Sequence, residues 1–322
     1  MSKSARLLSC FLLIALAVLC PFAIYPIFLM KVFSFALFAC AFNLLMGFTG
    51  LLSFGHAAFF GTGAYGAGHA MKVWGVTPEV GILFGTVCAA AVGYIVGALA
   101  IRRQGIYFAM ITLALAQMVY FYFLQAPFTG GEDGLQSVPR GYLFGLVSLS
   151  SDLVLYYVVL LILVAGLWII YRTVHSPFGQ ILKSIRENEQ RTLSLGYDVN
   201  RLKLLALVLS AAVSGLAGAT KALVFGFATL TDAHWQTSGE VVLMTLLGGV
   251  GTIFGPAIGA ALVVTLQNEL ADKVGSKVTI IIGLTFIVCV HSFRKGIVGE
   301  LSGRISKARA SRRAKIVVEA RR

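Results

Sequence analysis

SPFGQILKSIRENEQRTLSLGYD, residues 176–198, is a polar, helix-forming stretch set between long apolar runs. Ser176 suits an N-cap, because its hydroxyl can accept a bond from an otherwise unpaired backbone N–H, and Pro177 suits the first helical position. Gly196 suits the residue just past a helix end, where a left-handed backbone is needed. Between them Phe178, Ile181, Leu182, Ile185, Glu189 and Leu193 fall on one helical face, with Lys183, Arg186, Glu187 and Arg191 on the others. This spacing predicts one amphipathic helix of about five turns over 176–196. The wider island, 172–203, holds six of the 26 Lys and Arg residues. An ordinary interfacial helix has the same pattern. A solvated island in the middle of an apolar chain points instead to a surface that another protein grips.

The surroundings set the fold class. Of the 322 residues 58% are hydrophobic and only 12% charged, whereas soluble domains carry about 25% charged residues. Apolar runs long enough to cross a hydrocarbon core of about 30 Å recur throughout. The short alternating segments of a membrane β-barrel are not the pattern here. The chain reads as an all-α polytopic membrane protein. Clear apolar helices are expected at 7–30, 32–52, 80–101, 106–125, 151–171, 204–226 and 278–293. The start, MSKSAR followed by a long apolar run, mimics a signal peptide, but the run is too long and no A-x-A site follows. Leu19 before Cys20 argues against lipoprotein processing, so an uncleaved first span is expected.

Two glycine-rich regions, 53–71 and 240–267, are ambiguous, and charge decides between the counts. Basic residues gather on the cytoplasmic side of membrane helices. If 53–71 crosses once and 240–267 crosses twice, turning near Thr252, there are ten crossings and both termini lie inside. Twenty basic residues then face inward. Lys31, Lys72, Arg140, Lys273 and Lys277 face outward, and Lys221 lies within a helix. Other counts place the island or the ten-charge tail outside. The piece 240–252 spans only about 20 Å as a helix, so a broken or offset helix is expected there. Crossings two to five begin outside and crossings seven to ten begin inside, which is the arithmetic of an inverted repeat. Residues 1–293 form the membrane domain, with 172–203 as its cytoplasmic loop, and 294–322 form a basic tail.

The net charge of +13 and the tail suit topological anchoring rather than nucleic-acid binding. Five cysteines, an odd number without a CxxC pair, sit in apolar segments as small packing residues. His56, His69, His175, His234 and His291 lack metal-ligand spacing. The glycines of 47–68 and 248–259 suit close helix packing, or broken helices that line a passage.

NLLMGFTGLLSFGHAAFFGTGAYGA (43–67), RRQGIYFAMITLALAQ (102–117), TGGEDGL (129–135), SPFGQILKSIRENEQRTLSLGYDVNRLKLLAL (176–207), SGLAGA (214–219) and LLGGVGTIFGPAIGA (246–260) follow one another in order. Together they resemble the LivM-type permease of ABC importers for branched-chain amino acids, over roughly residues 31–293. The resemblance implies a bacterial inner-membrane system. A second, LivH-like permease subunit completes the pore, two cytoplasmic ATPases drive it, and a periplasmic binding protein delivers substrate. The sequence has no G-x-x-x-x-G-K-[ST], so it lacks a phosphate-cradling loop. No cofactor is expected in this chain, and ATP and Mg are expected in the partner subunits. The resemblance makes 176–196 the coupling helix, with Arg186, Glu187, Asn188, Glu189 and Gly196 as its contacts. The family usually has two alanines where Arg191 and Thr192 stand, so the ATPase contact is expected to differ there.

Candidates for the pathway are His56, Thr112, Gln117 and Glu240, polar side chains within or at the ends of apolar helices. Each suits interhelical hydrogen bonding as well. Glu132 and Asp133 sit in a long outer loop that would face the binding protein. A urea or short-amide permease is the alternative within the class. A secondary transporter driven by protons or sodium would want several buried mid-membrane acids, which are almost lacking. A membrane scaffold leaves the glycine-rich helices unexplained.

Overall fold

A computed structural model describes residues 24–274 without a gap, together with 18, 20–22 and isolated positions between 281 and 300. The first part of the span expected over 7–30, up to residue 23, the span expected over 278–293 and the basic tail lie wholly or mostly outside the described residues. Helix α1 runs Pro26–Thr49, α2 His56–Val73, α3 Pro78–Ala100 and α4 Ile106–Gln125. A two-stranded hairpin, β1 Tyr142–Leu143 and β2 Val147–Ser148, interrupts the long loop before α5, Asp152–His175. The polar island forms α6, Pro177–Glu187, and α7, Glu189–Ser194. Then follow α8 Val199–Phe225, a 3-10 turn Leu230–Ala233, α9 Trp235–Gly248 and α10 Gly255–Val274.

The chain is a multi-pass α-helical membrane protein. Five helices, α1, α3, α4, α5 and α8, are long and apolar enough to cross a bilayer. Proline sets two of the starts. Pro26 and Pro78 each open a helix, where the missing N–H leaves no bond unmade. This corrects one expected boundary. A division between helices at Lys31 was expected, but Lys31 lies in the second turn of α1. A lone lysine is a good helix former, whereas a proline inside a helix breaks the ladder.

α8 sits in the middle and packs on α1, α2 and α3. The approach is close because glycine faces backbone. A Cβ on Gly63 would overlap the Gly215 carbonyl, one on Gly85 the Gly63 carbonyl, and one on Gly218 the Phe60 carbonyl. Small residues let helices touch where lipid supplies no hydrophobic drive. α3, α4 and α5 each leave most of their apolar length uncovered by the chain. Gly63→Val is expected to lower the detergent melting temperature of the protein by a loss of about 1–3 kcal/mol, the range for overpacking. Gly239→Ala, where an added Cβ meets nothing within 4 Å, is expected to leave it unchanged or raise it.

The second glycine cluster makes a tight hairpin of α9 and α10. Gly248 faces the Gly255 carbonyl and Gly259 faces the Met244 carbonyl. The turn between them uses Gly249 at φ 117° and Gly251 at φ 80°, and it holds Thr252. α9 starts five residues before Glu240, has 14 residues, and reaches about 21 Å. The 226–228 stretch after α8 is stapled to the loop after α4, because Leu135 and Ala228 form an antiparallel bridge and Val138 N–H bonds the Gly226 carbonyl at 2.8 Å.

Candidate functional site

The local chemistry of 176–198 gives two helices. The Ser176 hydroxyl accepts from the Gly179 N–H at 3.3 Å and Pro177 opens α6. Leu182 and Ile185 are buried beneath it, where α6 packs on α1, α5 and α8. The single five-turn helix expected over 176–196 is corrected at Asn188. That residue is extended, at φ −157° and ψ 100°, and its side chain accepts from the Arg191 N–H at 3.0 Å. Asn188 is therefore the N-cap of a new helix. A short polar side chain that can satisfy free N–H groups favours a break of this kind. Gly196, at φ 89° with open space where a Cβ would be, ends the second helix as its sequence position requires.

The break reassigns the faces. Leu193, expected on the buried side, is 62% exposed, and Leu195 and Tyr197 are exposed beside it. Thr192 is buried instead and donates to the Asn188 carbonyl at 3.1 Å. Glu187, Gln190 and Arg191 are also exposed. Charged and apolar groups thus share one uncovered surface.

Two of the candidate coupling residues bond back to the rest of the chain, Glu189 half-buried and Arg186 exposed. Glu189 pairs with Lys203 at 2.6 Å and accepts from the Gln104 amide at 2.9 Å. Lys203 is 2% exposed, and a buried ammonium needs such a partner. Glu189 therefore ties α7 to α8 and to the link between α3 and α4. Arg186 donates from Nη1 to the Gly47 carbonyl near the end of α1 and lies against Gly251. One turn earlier in α1, Asn43 grips the α9–α10 turn from both sides, donating to the Thr252 carbonyl at 2.7 Å and accepting from the Gly251 N–H at 2.9 Å. α1 is thus held by α6 at Gly47 and holds the α9–α10 turn at Asn43, one helical turn apart. Asn43 was missed in the sequence, and an amide within an apolar run is the signal that marks it.

The four pathway candidates do not form one site. His56 and Thr112 flank the start of α2. The His56 Nε2 lies 2.8 Å from the Ser210 hydroxyl, which donates to the Ala41 carbonyl at 2.6 Å. The ring is fully buried and packs edge-on to Phe42 and Phe59. Thr112 accepts from the Phe54 N–H at 3.2 Å and donates to the Ala109 carbonyl. Ser238 of α9 accepts from the Ala57 N–H at 2.9 Å. These bonds satisfy a helix start buried in the protein. Gln117 is half-buried on α4. Glu240 is half-buried far away, near the end of the bundle opposite α6 and α7, with Gln267 of α10 against its carboxylate and Lys31 in electrostatic reach.

Near Glu240 the structure adds a pair that sequence reading did not assemble. Lys221 of α8 binds Asp232 of the 3-10 turn at 2.5 Å, and the other Asp232 oxygen accepts from the Thr229 N–H and hydroxyl at 3.2 Å. The ammonium also lies over the rings of Phe225 and Phe227, 5.9 and 5.4 Å from their centroids. A lysine inside an apolar run calls for a nearby acid, and Asp232 is only eleven residues on.

Similarity to known proteins follows the same architecture. Residues 25–290 match the family described as branched-chain amino acid transport system / permease component. The high-affinity branched-chain amino acid transport system permease protein LivM of Escherichia coli K12 is 30% identical over 258 residues, which is 71% of this chain and 60% of that one. The chain thus spans about 60% of that relative's length. The permease protein BraD of the corresponding Pseudomonas aeruginosa system is 22% identical over 83% of this chain and 92% of its own. The ribose import permease protein RbsC of Bacillus subtilis is 29% identical over 62% of each. With the match covering the whole described helical core, the chain belongs to the family of branched-chain amino acid transport system permease components.

Proposed function

We propose that this chain is one half of the membrane pore of an ATP-driven importer for branched-chain amino acids in a bacterial inner membrane. A second, LivH-like permease subunit forms the other half. The chain crosses ten times in an inverted repeat, with both termini and the α6–α7 loop in the cytoplasm. Two ATPase subunits bind and hydrolyse Mg-ATP and grip the loop. A periplasmic binding protein docks at the opposite end, where Glu132 and Asp133 are exposed.

The observation that carries this reading is the α6–α7 surface. Its outer side presents Glu187, Gln190, Arg191, Leu193 and Leu195 uncovered, while its inner side is pinned by Arg186, Leu182, Ile185 and Glu189. A partner that pushes on such a surface moves α1 and the α9–α10 turn with it, since packed helices shift as units rather than deform. Arg186 is thus the transmitting residue and Glu189 the one that holds α7 in place. Leu193 and Leu195 supply the apolar anchor for the partner.

The test is uptake in cells that lack their own branched-chain amino acid import. Expressed with its neighbouring ATPase, permease and binding-protein genes, the chain is expected to support accumulation of radiolabelled leucine. Accumulation of urea without leucine moves the assignment to the urea and short-amide permeases. Accumulation of leucine without the ATPase subunits contradicts the ATP-driven reading.

A further inference from the structure

A slot of about 530 Å³ opens between α3 and α4, with α2 behind it. α3 packs closely on α2 and α8, whereas α4 touches α3 only lightly. α3 lines the slot with Phe84, Cys88 and Val92, at i, i+4 and i+8, and α4 lines it with Met118 and Tyr122, at i and i+4. Residues so spaced lie one above another on a helix, so the slot runs along the helix axes. Its back is α2, from Thr62 to His69. Met118 and Tyr122 are exposed and Thr62 is buried. The slot is therefore closed by α2 and opens sideways, between two helices that leave most of their apolar length uncovered.

The slot lies at the end of the bundle away from α6 and α7. Gln104, in the link between α3 and α4, bonds Glu189 of α7, so the start of α3 and the end of α4 are at the opposite end. There aromatic side chains set edge to face surround the mouth. The His69 ring centroid lies 5.6 Å from that of Trp74 and 5.5 Å from that of Phe128, and Trp74 lies 5.0 Å from Phe84. Aromatic side chains of this kind gather at the level of the lipid headgroups. Between Thr62 and its end at Val73, α2 rises about 16 Å. That is one leaflet of a hydrocarbon core about 30 Å thick.

Chemistry selects the occupant. Among the described residues no charged side chain lines the slot. At its deep end, beside Cys88 and Val92, Thr62 donates its hydroxyl to the Ala58 carbonyl of its own helix at 2.6 Å. A zwitterionic amino acid would leave both its charges unmatched there, and water would find too few polar partners. An apolar chain of one leaflet's length meets neither cost. We propose that the slot seats one acyl chain of a phospholipid, in the leaflet away from the α6–α7 loop. The aromatic mouth holds the chain near its headgroup, and the methyl end reaches Thr62 and Val92. The seated chain fills the gap between α3 and α4 and so holds α4, which carries Thr112 and Gln117, against the bundle.

The experiment uses the complete transporter in liposomes containing a phosphatidylethanolamine with a diazirine at the methyl end of one acyl chain. After illumination, adducts are located by peptide mass spectrometry. They are expected on Thr62, Cys88 or Val92 at yields no lower than on Tyr94, which is exposed on the outer face of α3 close to Val92 in depth. Cys88→Phe fills the slot with a side chain. It is expected to abolish the adducts on Thr62 and Val92 and to leave those on Tyr94. Added phosphatidylethanolamine is expected to raise the melting temperature of the wild type in detergent and to leave that of Cys88→Phe unmoved. Adducts confined to Tyr94 and other outward positions overturn the seat, because lipid then touches α3 and α4 without entering between them. A slot filled by the second permease subunit gives that same pattern and overturns it equally. So do adducts on Thr62 and Val92 that persist undiminished in folded Cys88→Phe. If Cys88→Phe does not fold, Cys88→Leu repeats the comparison, and the adduct map of the wild type decides by itself.

Discussion

Asp232→Ala is expected to cost the protein about 3–5 kcal/mol, the range for removing one partner of a buried ion pair. The Lys221 side chain is 11% exposed and that of Asp232 6%. Without the carboxylate, the ammonium keeps only the faces of Phe225 and Phe227, worth about 2 kcal/mol at most. The Thr229 N–H and hydroxyl lose their acceptor as well. The 3-10 turn that leads into α9 is built on those bonds, so the start of α9 is expected to loosen. The measurement is thermal unfolding in detergent, with yield of folded protein as a second readout. Lys221→Met combined with Asp232→Leu removes both charges and is expected to restore most of the loss. If Asp232→Ala unfolds at the wild-type temperature, the pair contributes little and the packing of α8 carries that end alone.

Arg186→Ala is expected to separate ATP hydrolysis from transport. Arg186 lies on α6 but bonds the Gly47 carbonyl of α1, next to the turn that Asn43 holds. Its loss removes the polar connection between the loop and the α9–α10 turn while leaving Leu182 and Ile185 to keep α6 seated. Nothing on the outer, exposed surface of α7 changes. The ATPase subunits are therefore expected to bind and to hydrolyse ATP, while leucine uptake falls by about tenfold or more, the equivalent of roughly 1.4 kcal/mol of lost coupling. Arg186→Lys keeps a charge but replaces the guanidinium donor that meets the Gly47 carbonyl with a shorter-reaching ammonium, and is expected to recover only part of the uptake.

Much of this was legible in the sequence. Apolar runs placed five long helices, and charge asymmetry identified the 172–203 island as a distinct loop. Ser176, Pro177 and Gly196 mark real helix ends, because capping is local chemistry that a short window contains. The break at Asn188 was missed for the opposite reason. The amphipathic spacing continues through it and outweighed the capping chemistry of Asn188, and the pairing of Glu189 with Lys203, fourteen residues further on, lies outside a short window. Lys31 was read as a loop residue because charge was weighed above Pro26. The glycines of 248–259 were left open between packing and passage, and the facing backbones of α9 and α10 account for them as packing. His56 and Thr112 could be named as buried polar groups from sequence. That they serve one buried helix start depends on Ser210, Ser238 and Ala41, which only the fold brings near.

On the coupling role proposed for the α6–α7 loop, force reaches the pore through Arg186. The most direct measurement is leucine accumulated per ATP hydrolysed, with wild-type and Arg186→Ala transporters reconstituted side by side. The expected result is hydrolysis within about twofold of wild type, with accumulation per ATP reduced about tenfold or more. An unchanged ratio of leucine to ATP in a fully assembled Arg186→Ala transporter would rule out Arg186 as the transmitting residue.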